Sequence, residues 1–111
     1  MEFNVKDLGD GIAVVHLAGR LNMVTAGQLR EVVASAVAEG HPRIAIDLSK
    51  VDFIDSSGLG ALISGLKTAR QAGGDLRIAA PNEQVKLVLQ LTNMERVLMA
   101  YESAESAFTN G

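Results

Sequence analysis

Apolar and polar positions divide the chain into segments with different periods. Residues 2–7 alternate polar and apolar side chains, whereas residues 12–18 form a nearly continuous apolar run. The alternation predicts an edge strand with one covered face, and the continuous run predicts a strand that is buried on both faces. Gly9-Asp10-Gly11 lies between the two segments and predicts the turn of a β-hairpin.

Later segments carry apolar residues at the three- and four-residue spacing of amphipathic helices. Thr25 and Gln28 have the spacing of a capping box at the start of the first of these segments. The predicted helices run from Thr25 to Gly40, from the turn at Ser56 to about Gln71, from Asn82 to the turn at Thr92, and, as a short closing helix, from Ser103 to Phe108. Residues 109–111 are expected to fray.

The remaining apolar segments are short and predict strands that alternate with these helices. Strands are predicted over residues 43–48, 51–54, 75–80 and 97–101, with a loop at 19–24 and a turn at 49–50. A hairpin followed by alternating helices and strands predicts an α/β fold. We expect a mixed, mostly parallel sheet with an N-terminal antiparallel edge hairpin and about four helices. The 111 residues are enough for one domain, which we place at 1–111.

Composition excludes several classes of function. The net charge of −3, the absence of Trp and the single Tyr argue against a nucleic-acid partner. The absence of Cys excludes disulfides, Cys–zinc sites and thiol catalysis, and it fits a reducing compartment. Because we also find neither a signal peptide nor an apolar run long enough to span a membrane, we predict a cytoplasmic protein.

The sequence also lacks the common patterns of catalytic sites. His16 lies inside an apolar strand, where packing or a hydrogen bond is its expected role, and His41 precedes Pro42 in what we interpret as an exposed linker. There is no nucleophile elbow and no glycine-rich phosphate loop with Lys. Acidic residues near the middle of the chain are interpreted as caps and turns rather than metal ligands. We therefore predict neither enzyme activity, nor a cofactor, nor a metal.

The most informative segment joins the strand ending at Ile54 to the helix that follows it. It reads Asp-Ser-Ser-Gly-Leu-Gly over residues 55–60. A serine here can simply cap the helix. However, Gly58, Gly60 and Gly65 each cost about 1 kcal/mol relative to Ala in a helix. A helix that only filled a core would not need them, so we interpret the segment as a hydroxyl displayed for a partner, with phosphorylation as one possibility.

In this context, Asp55–Gly60 resembles the motif of STAS domains, and in particular of bacterial anti-sigma factor antagonists. The resemblance extends over nearly the whole chain and includes the hairpin, the Leu17–Gly19 segment and the Gly73-Gly74 turn. It implies a partner switch. In this family the first serine of the motif, here Ser56, is phosphorylated by an anti-sigma factor that is also a serine kinase of the histidine-kinase-like ATPase type. The unphosphorylated antagonist binds that kinase and releases a sigma factor, and a serine phosphatase resets the switch.

The resemblance assigns roles to single residues. Ser56 is the expected phosphoacceptor and Ser57 the second candidate. Asp55 is expected to orient the turn, and Gly58 and Gly60 to provide clearance. The complete set of expected partner-binding residues is Asp55, Ser57, Gly58, Leu59, Gly60, Asn22 and Thr25. Leu59 has two interpretations, because it also belongs to the apolar stripe of the helix.

One loop departs from the family pattern. Many relatives carry Gly-Glu-Leu-Asp before the first helix, where this chain has Gly19-Arg20-Leu21-Asn22. Both acidic residues are replaced, and Arg20 could pair with a phosphate on Ser56. The alternative function within the family's range is a STAS interaction module without a switch, as in a lipid-transport or stressosome-like complex. Nucleotide binding by the domain alone is a third hypothesis, which the missing phosphate loop disfavours.

Overall fold

The fold is an α/β sandwich of helices on a mixed sheet, shown by a computed structural model that describes residues 2–108. The five strands lie in the order β1-β2-β3-β4-β5. β1 pairs antiparallel with β2, and the other neighbours are parallel. The elements are β1 Glu2–Gly9, β2 Ile12–Leu21, α1 Ala26–Ala38, β3 Arg43–Ile54, α2 Ser56–Gln71, β4 Asp75–Ala79, α3 Glu83–Leu91, a 3-10 turn Met94–Arg96 and β5 Ala100–Tyr101. The predicted fold class and the antiparallel edge hairpin are confirmed.

Both faces of the central strands are covered, as the apolar run in β2 predicts, whereas the edge strand β1 is largely exposed. On one face Val15 and Ile46 belong to the main core, together with apolar residues of α1, α2 and α3. On the other face Val14 and Ala45 pack in a smaller cluster with the segment that includes Ala104. Alternate residues of the central strands therefore bury their side chains on opposite faces.

The central strands are longer than the sequence predicts. β2 continues through the expected loop to Leu21, and β3 runs without interruption through the expected turn at residues 49–50. The pairing shifts register between His16 and Ala18 and again between Gly19 and Arg20. These irregularities let the two strands stay paired as far as Leu21 and Ile54. β4 pairs only with residues 43–47 of β3, so the ends of β2 and β3 extend beyond the rest of the sheet.

The predicted closing helix over residues 103–108 is wrong, because the segment forms successive turns. The described residues therefore contain three α-helices where we predicted about four. Ser106 donates its backbone N–H to the Ser103 hydroxyl at 3.2 Å and its own hydroxyl to the Ser103 carbonyl at 2.9 Å. Such local hydrogen bonds compete with the helical ones. Ala104 and Ala107 are nevertheless buried as predicted, and the predicted fraying concerns residues 109–111, outside the described range.

The last strand is also shorter than predicted. Its expected first residues, Val97 and Leu98, donate their N–H groups to the Met94 carbonyl at 3.0 and 2.8 Å, as in a tight helical turn. Only Ala100 and Tyr101 remain to pair with β4. Leu98 is fully buried, so the apolar pattern marks a core position rather than a strand.

Both histidines lie within hydrogen-bonding distance of an aspartate. His16 Nδ1 lies 2.7 Å from Asp47 Oδ2, as expected for a hydrogen-bonded histidine. His41 Nε2 lies 3.1 Å from Asp7 Oδ2, and its side chain is only 21% exposed. The interpretation of His41 as an exposed linker residue is therefore wrong: it connects the α1–β3 junction to the edge hairpin.

Candidate functional site

Asp55 fixes the turn between β3 and α2. Its Oδ1 accepts the Gly58 N–H at 2.9 Å, which is an N-cap hydrogen bond, and its carbonyl accepts the Leu59 N–H at 2.9 Å. On the other side, the Asp55 N–H donates to the Leu21 carbonyl at 3.3 Å. The carboxylate thus orients the turn, and the end of β2 lies beside it, where we expected the loop before α1.

The two serines of the motif differ in accessibility. Ser56 is exposed at the first position of α2, whereas Ser57 is half-buried. Within residues 2–108 no hydrogen bond engages the Ser56 hydroxyl. The first N–H groups of a helix have no intrahelical acceptors, and they favour a negative charge nearby. Ser56 therefore presents a free hydroxyl at a helix N-terminus that tolerates an anion.

Two of the three helix glycines are explained by internal packing. A Cβ on Gly58 would lie 2.2 Å from the Leu21 carbonyl oxygen, a distance that real Cβ atoms do not adopt. A Cβ on Gly65 would lie 3.0 Å from Leu76 Cδ1. The argument that a core-filling helix would not need these glycines is therefore wrong for both. Gly60 differs, because its Cβ would meet only the Arg30 side chain, at 3.9 Å.

Leu59 belongs to the core. It is 7% exposed and lies in the same apolar cluster as Leu62 and Leu66. Of its two interpretations, the structure favours the apolar stripe. Any contact between Leu59 and a partner would involve only a small part of its surface.

Asn22 organises the loop before α1. Its Oδ1 accepts the N–H groups of Val24 at 3.0 Å and Thr25 at 3.3 Å, and its carbonyl accepts the Ala26 N–H at 2.8 Å. Asn22 thereby satisfies donors at the start of α1 that have no intrahelical partner. Asn22 is therefore a neutral acceptor that holds the loop.

The predicted capping box at Thr25 is not formed. Thr25 is the N-cap of α1 but makes no side-chain capping hydrogen bond. Its hydroxyl instead donates to the Arg20 carbonyl at 2.9 Å and accepts the Asn22 N–H at 3.0 Å. Because the residue is only 9% exposed, the hydroxyl is used inside the loop.

The sequence interpretation missed two exposed apolar side chains at the tip of this loop. Met23 is 76% exposed and Val24 is 82% exposed. They follow Leu21, whose carbonyl accepts the Asp55 N–H, and Asn22, which is bonded within the loop. Two large apolar groups displayed near the Asp55 turn make this loop tip a candidate surface for protein binding. The available signal was their position in a predicted loop, outside every helix or strand pattern.

The Arg20 side chain packs over an aromatic ring of the neighbouring strand β3. Its guanidinium carbon lies 5.3 Å from the centroid of the Phe53 ring, its neighbour in the β2–β3 pairing. This is a cation–π distance. The contact holds a positive charge on the strand that leads into Ser56, three residues after Phe53.

The acidic residues show no arrangement typical of a metal site. Among residues 2–108 no group of three or more His, Asp or Glu side chains could hold a metal ion. Asp47 is engaged otherwise. Partial burial acts to raise its pKa, but hydrogen bonds from the Ser49 N–H and hydroxyl and from His16 outweigh burial and lower the pKa below its ordinary value.

Among residues 2–108, no helix has the length and apolar character to cross a membrane.

Comparison with known proteins gives one consistent family. Residues 5–107 match the STAS domain. A Thermotoga maritima protein with the provisional name anti-sigma factor antagonist is 38% identical over 69 residues, which cover 62% of this chain and 61% of that protein. The anti-sigma F factor antagonist of Paenibacillus polymyxa is 27% identical over 100 residues, covering 89% of this chain and 86% of that protein. The chain thus spans less than two thirds of the Thermotoga relative.

Solved structures agree with this match. An anti-sigma factor antagonist from Mycobacterium paratuberculosis has a TM-score of 0.83 and 30% identity, with 97% of this chain and 91% of that chain covered. SpoIIAA in its unphosphorylated form has a TM-score of 0.80 at 22% identity, covering 95% and 92%. Its phosphorylated form, from Bacillus, has a TM-score of 0.73 at 20% identity, covering 95% and 96%. The family match covers nearly every described residue, and the chain belongs to the STAS domain family.

Proposed function

We propose that this protein is an anti-sigma factor antagonist that acts in a partner switch controlled by phosphorylation of Ser56. The observation that carries the proposal is the exposed Ser56 hydroxyl at the N-terminus of α2, in a turn oriented by Asp55. Relatives with the name anti-sigma factor antagonist support it. The partner would be an anti-sigma factor that is also a serine kinase, and its capture would release a sigma factor.

In the proposed reaction, the Ser56 oxygen attacks the γ-phosphorus of an ATP molecule bound to the kinase. The bond from that phosphorus to the bridging oxygen breaks, ADP leaves, and a base on the kinase takes the hydroxyl proton. A serine phosphatase would hydrolyse the phosphoserine and restore the hydroxyl. This chain contributes the acceptor and its orientation. The proposal therefore assigns no catalysis to the chain itself, and it places the switch in the cytoplasm.

Local electrostatics explain how a phosphate would stop binding. Phosphorylation adds about −1.5 to −2 charges at Ser56. The N-terminus of α2 tolerates an anion, so the fold should persist. At an interface centred on Met23 and Val24, the same charge would require desolvation and would repel the nearby Asp55 carboxylate. A penalty of about 4 kcal/mol would lower affinity roughly a thousandfold.

The test is a pull-down from native lysate with wild type, Ser56→Ala and Ser56→Asp. We expect wild type and Ser56→Ala to retain an ATPase of the histidine-kinase-like type, and Ser56→Asp to lose it. The retained ATPase should transfer phosphate from ATP to Ser56 of wild type. Ser35→Asp is the matched control, because it adds the same charge at an exposed serine of α1.

If wild type, Ser56→Ala and Ser56→Asp all retain the same proteins and Ser56 of wild type is unmodified, the switch is contradicted. The result would favour the alternative, a STAS interaction module of a lipid-transport or stressosome-like complex. The observation that keeps this alternative is the loop at Arg20 and Asn22, where the acidic residues of switching relatives are replaced.

A further inference from the structure

Among residues 2–108, no strand pairs with the end of β3 on the side of β4. β2 pairs with β3 as far as Ile54, but β4 ends its pairing at Asp47. The β4-facing backbone groups of residues 48–54 therefore have no strand partner, and at buried residues such as Ile54 an unpaired backbone group would be costly. These residues lead directly into the turn that carries Ser56.

Gln84, in the first turn of α3, supplies two of these partners. Its Oε1 accepts the Ile54 N–H at 2.9 Å, and its Nε2 donates to the Ile54 carbonyl at 3.0 Å. In an antiparallel ladder, a hydrogen-bonded pair of residues exchanges the same two bonds. One side-chain amide thus takes the place of a residue of the missing strand.

Asn82 supplies a second connection to the same strand end. Its Nδ2 donates to the Val51 carbonyl at 3.0 Å and approaches the Asp52 carbonyl at 3.3 Å. Its Oδ1 accepts the Val85 N–H at 2.9 Å, which makes Asn82 the N-cap of α3. The start of α3 is therefore bound to β3 and capped by one side chain.

The backbone before Asn82 adopts an unfavourable conformation that is compatible with this placement. Ala80 has a φ of +54°, in the left-handed region that non-glycine residues seldom adopt. Its N–H donates to the Tyr101 carbonyl at 2.8 Å. The chain thus reverses sharply after β4, at the strained residue Ala80, and returns to the end of β3.

The peptide unit between Ile54 and Asp55 is held from both sides. Gln84 Nε2 bonds the carbonyl of this unit, and the N–H of the same unit donates to the Leu21 carbonyl. The plane of the peptide that precedes the Asp55 N-cap is therefore fixed. Asp55 in turn fixes the first turn of α2, in which Ser56 lies.

We propose that Gln84 and Asn82 are positioning residues, which orient the Ser56 hydroxyl through the backbone of the β3 end. The inference rests on the proposed function. Reacting groups held out of position by about 1 Å lose roughly a hundredfold in rate. For Gln84→Leu we expect a loss of about tenfold or more in kcat of Ser56 phosphorylation. The KM should change less than twofold, because Met23 and Val24 remain in place.

The first measurement needs no kinase. Amide hydrogen exchange by NMR is compared for wild type, Gln84→Leu, Gln84→Glu and Gln90→Ala, an exposed glutamine of the same helix as the control. We expect the Ile54 N–H to exchange at least tenfold faster in Gln84→Leu, with the amides of Val85 and Leu89 unchanged. Gln84→Glu should restore much of the protection, because a carboxylate accepts the N–H, although it cannot donate to the carbonyl.

The second measurement uses the kinase retained in the pull-down and records kcat and KM for the same variants. A loss of kcat in Gln84→Leu, partial in Gln84→Glu and absent in Gln90→Ala, supports the inference. Unchanged Ile54 exchange, or faster exchange with unchanged kcat, would overturn it. If wild type is not phosphorylated on Ser56, the proposed function fails and the positioning role fails with it, whereas the exchange data still decide whether Gln84 holds Ile54.

Discussion

At the residue scale, the contact between Gly58 and Leu21 sets how closely α2 approaches β2. The Leu21 carbonyl accepts the Asp55 N–H and leaves no room for a Cβ on Gly58. Neither contact depends on side chains of the exposed surface. The glycine is therefore required by the fold, whatever partner the turn binds.

This contact predicts opposite effects for two neighbouring glycines. Gly58→Ala should destabilise the protein by about 1–3 kcal/mol, the usual cost of overpacking. Gly60→Ala should be neutral or stabilising by up to about 1 kcal/mol, because its Cβ would make only an ordinary contact with the Arg30 side chain and Ala favours a helix. Urea unfolding of both variants measures the two free energies. Equal effects would contradict the packing account.

If Gly60 provides clearance for a partner, Gly60→Ala should lower partner binding although the folded protein is as stable as wild type. That combination separates a role in binding from a role in folding, which Gly58 cannot do. Binding equal to wild type would show that the partner approaches elsewhere on the turn.

At the element scale, the loop between β2 and α1 is the surface next to the Ser56 turn that displays large apolar groups. Asn22 and Thr25 use their polar groups to hold the loop, while Met23 and Val24 project outward. The loop is thus internally bonded but externally apolar. An arrangement of this kind offers a preformed contact surface that loses little conformational entropy on binding.

We predict that replacing Met23 and Val24 by Ser weakens binding to the anti-sigma factor by at least tenfold. Each substitution removes about 1.5–3 kcal/mol of binding free energy if the apolar side chain is fully buried in the complex. Because both are exposed in the free protein, stability should change by less than about 0.5 kcal/mol. Isothermal titration calorimetry measures the affinity. Leu91→Ser is the matched control, with 75% exposure on α3, and an equal loss there would contradict a specific loop surface.

The sequence predicts elements well where one local pattern decides them. The apolar run of β2, the stripe of α2 and the glycine turn at Gly9 to Gly11 each lead to the observed structure. The extensions of β2 and β3 are different, because Gly19 and residues 49–50 favour turns and become strand only through the pairing of β2 with β3, in which Gly19 lies opposite Val51 and Lys50 opposite Ala18. Likewise, no local signal shows that Gln84 binds Ile54, thirty residues earlier.

The candidate site was predictable for a similar reason and to a similar extent. Asp55 and Ser56 lie between a strand pattern and the apolar stripe of a helix, so the exposed Ser56 and the cap at Asp55 could be predicted. The burial of Thr25 and Leu59 depends on tertiary contacts. The closing segment failed because Ser103 and Ser106 bond each other locally, although their spacing with Ala104 and Ala107 fits a helix.

At the scale of the whole molecule, the His16–Asp47 pair joins the two central strands. The pair lies 2.7 Å apart, with the Asp47 side chain 18% exposed and that of His16 38% exposed. The Asp47 carboxylate is stabilised in the folded protein, so its pKa is lower than in the unfolded chain. A lowered pKa contributes stability that is present above the unfolded value, about 3.9, and is lost as pH falls through the folded value.

We therefore predict that Asp47→Asn is less stable than wild type at pH 7 and that the difference narrows as pH falls toward about 3. Urea unfolding at several pH values measures it. Asp52→Asn is the control, since Asp52 is exposed and makes no ion pair within residues 2–108. A difference that stays constant across this pH range would show that Asp47 acts through shape rather than charge.

The shared Leu21 carbonyl has a consequence for the energetics of switching. Leu21 lies two residues before Met23 at the loop tip, and its carbonyl accepts the Asp55 N–H. In the proposed switch, a partner that shifts the tip therefore acts on the same oxygen that bonds the Asp55 turn. Thermodynamic linkage makes this coupling reciprocal. If a phosphate on Ser56 lowers the affinity for the partner by some factor, the bound partner shifts the equilibrium between phosphorylated and unphosphorylated Ser56 by the same factor. A bound anti-sigma factor would then favour the free hydroxyl, and the modified protein would be found mainly apart from its partner.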